Sequence, residues 1–176
     1  MNRIIDVFLL LALSAYILAG TALAPFHGDE STLIFMSHDY ATQFLLGQPE
    51  LLRYANPPLS PAEQELRLLN GTVAKYSIGL AWHLAGFSAD DLNEQWDWGA
   101  GWEYNQANNH APSAGLLRAS RWPSALLLVT GLLALWLLAW RIGGRPAAWL
   151  TGLIYALLAA LLLQGRRAMM EGSLIA

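Results

Sequence analysis

Cysteine is absent from all 176 residues, which excludes disulfides and thiolate metal sites and leaves redox compartment unreadable. Charge is scarce as well. Asp, Glu, Lys and Arg make up 13% of the chain, against roughly 25% in an ordinary soluble domain. With 55% hydrophobic residues and a mean hydropathy of +0.35, much of the apolar surface must face something other than water. A basic face is missing too. Residues 27–121 carry eleven acids and five bases, a balance of −6, while the remainder is +3. An acidic region with scattered bases excludes the electrostatic footprint that nucleic acid requires. No internal repeat is present.

Long apolar runs are there instead. Ile4 to Ala24 is apolar except for Asp6, and is long enough to cross about 30 Å of hydrocarbon as a helix. Trp122 to Trp140 is a second run, free of charge, and Ala147 to Leu163 is a third. Trp122, Trp140 and Trp149 lie at or near run ends, where interfacial aromatics belong. The tight basic turn Arg141-Ile-Gly-Gly-Arg-Pro146 forces the second and third runs to be antiparallel neighbours. A fourth run starts near Ser173, which makes the chain read as part of a longer protein. The first run has two readings. Arg3, the apolar stretch and Ala22-Leu-Ala24 resemble a cleavable secretory signal. The length of the run and Pro25 directly after the would-be scissile bond favour a retained anchor. Arginines fall on both sides of the runs, so the positive-inside rule does not fix the orientation.

Residues 25–121 form a long polar loop. Glu30 to Leu46 is periodic enough for a short helix that ends at Gly47-Gln-Pro49. Asn56-Pro57-Pro58 marks a rigid bend. Pro61 to Phe87 reads as helical with a break at Asn70-Gly71, and its apolar end from Tyr76 is too short to span, so it is expected on the membrane surface. Residues 90–113, rich in Trp, Asn, Asp and Gly, are either an ordinary packed loop or a sugar-binding surface of indole faces and carboxamides.

Two motifs are candidates for chemistry. Asp29-Glu30 follows the first run by about one helical turn, and a carboxylate there can serve as general base for an acceptor hydroxyl. Equally, Asp29 can cap a helix whose first turn favours Glu30. Arg166-Arg167-Ala-Met-Met-Glu171 follows the third run. Guanidinium forks match phosphate oxygens, but arginines also anchor at interfaces by snorkelling. Glu171 stands four residues after Arg167 and can pair with it on one helical face.

A first span, Asp29-Glu30, a long outer loop with surface helices, and paired spans ending in Arg167-Ala-Met-Met-Glu171 together resemble the GT-C glycosyltransferases. The nearest branch is that of the protein mannosyltransferases and the lipid A aminoarabinose transferases. Where that branch often carries a lysine followed by Pro-Pro-Leu, Lys75 is followed here by Tyr76-Ser77-Ile78, so only the lysine is kept. The resemblance implies an all-α integral membrane protein, a multi-span bundle with a long first outer loop. It implies a multi-pass protein of the cell membrane, or of the endoplasmic reticulum in a eukaryote. It implies sugar transfer from a polyprenyl phosphate to a protein, lipid or glycan hydroxyl. Asp29 would be the catalytic base and Glu30 its support. Arg166, Arg167 and Lys75 would contact the donor phosphate, and Glu171 would position an arginine. No metal or other cofactor is implied. The alternative is a non-catalytic transporter or an assembly or binding subunit.

Overall fold

The computed structural model describes residues 2–171, and every regular element among them is helical. The expected start of a fourth run near Ser173 lies outside the described residues. Helix α1 spans Asn2–Ala19 and tightens into a 3-10 turn over Gly20–Leu23. Helix α2, Gly28–Met36, begins with a capping box. The His27 ring accepts from the Asp29 amide at 3.3 Å, and the Glu30 carboxylate accepts from the His27 amide at 3.1 Å. The capping reading of Asp29 is therefore corrected: His27 is the cap and Asp29 lies inside the first turn. The helix expected to run to Leu46 stops at Met36. It continues as the single turn α3, His38–Tyr40, and a wide π turn over Ala41–Leu45.

Pro61 opens α4, Pro61–Leu69, where its missing N–H costs nothing. Asn70 and Gly71 break the chain as expected, and α5 follows over Thr72–Leu84. Residues 90–113 are mostly irregular, with a short α6 over Trp102–Ala107. Ser113 caps α7, Ala114–Leu157, by accepting from the Leu116 amide at 3.3 Å. Helix α8, Ala159–Gly165, completes the order.

Two segments, Arg3–Leu23 and Ala114–Leu157, are long and apolar enough to cross a membrane. At 1.5 Å per residue, 44 straight residues would run about 66 Å, twice the hydrocarbon thickness. The chain instead reverses at Gly144, whose φ of 71° and ψ of −166° lie in a region essentially reserved for glycine. The return is antiparallel. The Tyr155 hydroxyl donates to the Leu128 carbonyl at 3.0 Å, and the Ser124 hydroxyl donates to the Met169 carbonyl at 2.8 Å. Gly152 faces Trp136 so closely that a Cβ would come within 2.7 Å of its ring. Asp6 pins the turn to the start of α1: it accepts from Arg145 Nε and Trp149 Nε1, both at 2.7 Å. Gly144→Ala is expected to destabilise the fold by about 1–3 kcal/mol, the cost of a side chain in that backbone region. A thermal melt of the detergent-solubilised protein reads it, and an unchanged midpoint would mean the turn relaxes freely.

Two apolar cores result. Leu13 and Ile17 of α1 pack with Leu128, Leu132, Tyr155 and Leu162. The loop has its own core, in which Ile34, Ile78, Trp82, Leu116 and Met169 meet. Trp82 is fully enclosed and its indole donates to the Ser37 hydroxyl at 2.8 Å. Helix α5 therefore has one face in this core, while Val73, Leu80 and Leu84 on the other stay exposed.

Candidate functional site

The end of α1, the start of α2, the start of α7 and residues 165–171 meet at one place. Glu30 is its centre and is wholly enclosed. Its carboxylate accepts from Arg121 Nε and Nη2, both at 2.8 Å, and from the Ala168 amide at 2.8 Å. With the His27 amide that makes four donors on one carboxylate. Arg121 Nη1 donates in turn to the carbonyls of Thr21 and Ala24, each at 2.9 Å. A paired fork of this kind satisfies both charges on removal from water. Glu30 is thus a structural clamp, and no part of it is open to solvent.

The two arginines of the later motif work alongside it. Arg166 lies over the Tyr16 ring at 4.8 Å and donates to the carbonyls of Ile17 at 3.0 Å and Tyr16 at 2.6 Å. Arg167 donates to the Pro25 carbonyl at 3.1 Å and to Gln164 Oε1 at 3.3 Å. Arg121, Arg166 and Arg167 together collect five carbonyls at the exit of α1, where a helix end leaves acceptors unfilled. The bonds lie on both sides of the Ala24–Pro25 link. Arg166 also lines an apolar cavity of ≈380 Å³ with Tyr16, Leu23, Pro25, Leu157 and Leu162.

Asp29 points elsewhere. Its side chain is 48% exposed, beside the His27 ring at 3.3 Å. It lines a cavity of ≈200 Å³ with Thr32, Leu33, Asn70, Met169, Met170 and Glu171. Thr32 Oγ1 and Glu171 Oε2 are buried there without a hydrogen-bond partner among the described residues. Buried polar atoms are rarely left unpaired, and this cavity holds two of them beside a half-exposed carboxylate. Glu171 does not hold Arg167 as expected; it faces the same space as Asp29.

Lys75 lies apart from both cavities. It is buried and donates to Asp39 Oδ2 at 2.6 Å. Arg67 grips the same carboxylate, with Nε 3.0 Å from each oxygen, and reaches Glu63 at 2.7 Å. Burial works against the charge of Arg67, and Asp39 and Glu63 more than offset it, holding its pKa above the ordinary value. Lys75→Met is expected to destabilise the loop by about 3 kcal/mol, because it leaves a buried carboxylate short of a partner. Adding Asp39→Asn should recover part of that loss. Melting curves of the single and double variants measure both; a Lys75→Met protein as stable as the parent would show that Lys75 is not holding this cluster.

The tryptophan-rich segment borders Asp29. Trp96 packs against Phe26 at 5.3 Å and Trp102 at 5.8 Å, and Trp98 lies 6.0 Å from the His27 ring. Gly28 passes beneath them: a Cβ there would come within 2.8 Å of both Trp96 and Trp98. Trp98 and Trp102 keep about half or more of their surface exposed, at 61% and 51%. The Asn105 amide is spent on the Asp97 backbone and Asn93 Nδ2 donates to Ser31, while Asn93 Oδ1 is buried without a partner among the described residues. The segment is a packed loop that leaves two indole faces outward.

Among the described residues, no group of three or more His, Asp or Glu is placed to hold a metal ion. Arg121 and Thr32 carry no mark of a site in the sequence. Arg121 shows there only as one of the bases near the second run, and a threonine in a helix has no local signature of function. No protein-family model matches the chain, and no curated protein or solved structure is detectably similar to it.

Proposed function

We propose that the chain forms part of a multi-span, GT-C-like glycosyltransferase that moves a sugar from a polyprenyl phosphate to a hydroxyl of a protein, lipid or glycan. The observation that carries this reading is the cavity shared by Asp29, Thr32 and Glu171. In the reaction, the acceptor oxygen attacks the anomeric carbon and a new C–O bond forms. The bond from that carbon to the phosphate oxygen breaks, and the lipid phosphate departs with the electron pair. Asp29 takes the hydroxyl proton. Glu171 and Thr32 orient the acceptor. Arg166, at the edge of the apolar cavity beyond Pro25, meets the growing charge on the leaving phosphate. Arg167 and Glu30 keep the strap between the two cavities in place, and Lys75 acts only through the loop fold.

In this reading residues 4–24, 122–140 and 147–163 cross the cell membrane, and residues 27–121 and 166–171 share its outer face. A cysteine at the exposed Ser88 should be labelled from outside intact cells. Purified full-length protein, given a polyprenyl-phosphate sugar and a mixture of hydroxyl acceptors, should transfer the sugar. Arg166→Gln should raise the KM for the donor about tenfold, the scale of one hydrogen bond to a charged group. Labelling of Ser88 only after permeabilisation, or an Arg166→Gln protein with unaltered donor KM, would overturn the arrangement.

A further inference from the structure

A groove of ≈640 Å³ runs between α5 and the first part of α7. Its walls include Leu80 and Leu84 of α5 and Ala119, Trp122 and Leu126 of α7. Arg118, Trp122 and Leu126 stand four residues apart and so share one face of α7. Trp122 opens the charge-free run, so the groove has its Leu126 end at the depth of hydrocarbon and its Arg118 end at the interface. Arg118 is exposed in part, and no hydrogen bond or ion pair joins it to another described residue. It differs in this from Arg121, Arg166, Arg167 and Arg67, all of which are engaged inside the fold.

We infer that this groove binds one anionic phospholipid of the bilayer, with an acyl chain along Leu80, Leu84, Trp122 and Leu126 and the phosphodiester on Arg118. The volume falls in the range of small-molecule sites, and the wall is apolar apart from Arg118 and Ser77. Chain burial supplies the affinity, and the guanidinium selects the head group. A single cation balances the single charge of a phosphodiester, whereas a phosphomonoester carries nearly two. Lipid binding here is independent of the transferase reading.

The test uses the full-length protein in vesicles that contain photoactivatable acyl-chain probes, phosphatidylglycerol in one set and phosphatidylcholine in another, with crosslinks mapped by mass spectrometry. Phosphatidylglycerol should mark residues 77–87 and 115–126, and phosphatidylcholine should mark them weakly. Arg118→Gln should cut the phosphatidylglycerol signal about fivefold, as expected for one cation at a membrane surface. Leu84→Glu should abolish it. Neither side chain is buried, so the melting temperature should hold and a lost crosslink cannot be ascribed to unfolding. Equal marking by the two lipids, preferential marking by a polyprenyl-phosphate probe, or no marking because another protein segment fills the groove would each overturn the inference.

Discussion

Arg121→Ala should leave little folded protein. The substitution strands Glu30 with no exposed surface and removes two of the four donors on its carboxylate. It also frees the carbonyls of Thr21 and Ala24. Breaking one side of a buried ion pair costs about 3–5 kcal/mol, a large part of the roughly 5–15 kcal/mol that holds a typical domain. Arg121→Lys should recover only a fraction, since an ammonium cannot grip two carboxylate oxygens and two carbonyls at once. Replacing both members, as Glu30→Met with Arg121→Met, should be milder than either single change, because no charge is then left unpaired in the interior. Size-exclusion profiles and melting curves of the detergent-solubilised variants provide the comparison. An Arg121→Ala protein that elutes and melts like the parent would show that the pair does not hold the junction.

The second large effect belongs to Asp29. Asp29→Asn keeps the size of the side chain and most of its hydrogen bonding, and it removes the proposed base. Its carboxylate is about half-exposed and its only described partner is the neighbouring His27, so expression, membrane insertion and melting should match the parent. Donor binding should persist, because Asp29 does not line the cavity proposed for the donor. Transfer should fall by about two to four orders of magnitude, the usual contribution of a general base. Glu171→Gln should raise the acceptor KM more than it lowers kcat, as suits a positioning group. Glu30→Gln should fail through misfolding, which separates the two adjacent acids by phenotype. Transfer by Asp29→Asn at the parental rate would refute the mechanism.

These adjacent acids show what sequence can and cannot disclose. Neighbours on a helix point about 100° apart, so one of the pair was bound to face differently from the other. Nothing in His27-Gly-Asp-Glu30 tells which turns inward, because Glu30's partner lies 91 residues on. Histidine is also an unusual cap, and Asp29 is by residue type the better suited to that role. Lys75 is illegible for the same reason as Glu30. Its partner Asp39 stands 36 residues earlier, and an ion pair that spans a loop has no local signature. The first two apolar runs, the break at Asn70-Gly71 and the reversal near Gly144 are legible because run length, proline and glycine act on their own neighbourhood, whereas the third run, expected unbroken over 147–163, is interrupted by extended backbone at Leu158. The cavity around Asp29 needs three separate segments to meet, so only its two acids are visible in the sequence.

The arginine clasp on α1 also bears on how the protein is made. The five carbonyls it fills belong to residues 16–25, yet their donors arrive 97 to 150 residues later. A ribosome that has delivered only the first helix has delivered a helix whose C-terminal carbonyls still lack these donors. The donors arrive in two steps, once when residue 121 emerges and again at residues 166 and 167. The strap that carries Asp29 therefore cannot take its described form until residues 121, 166 and 167 have been made.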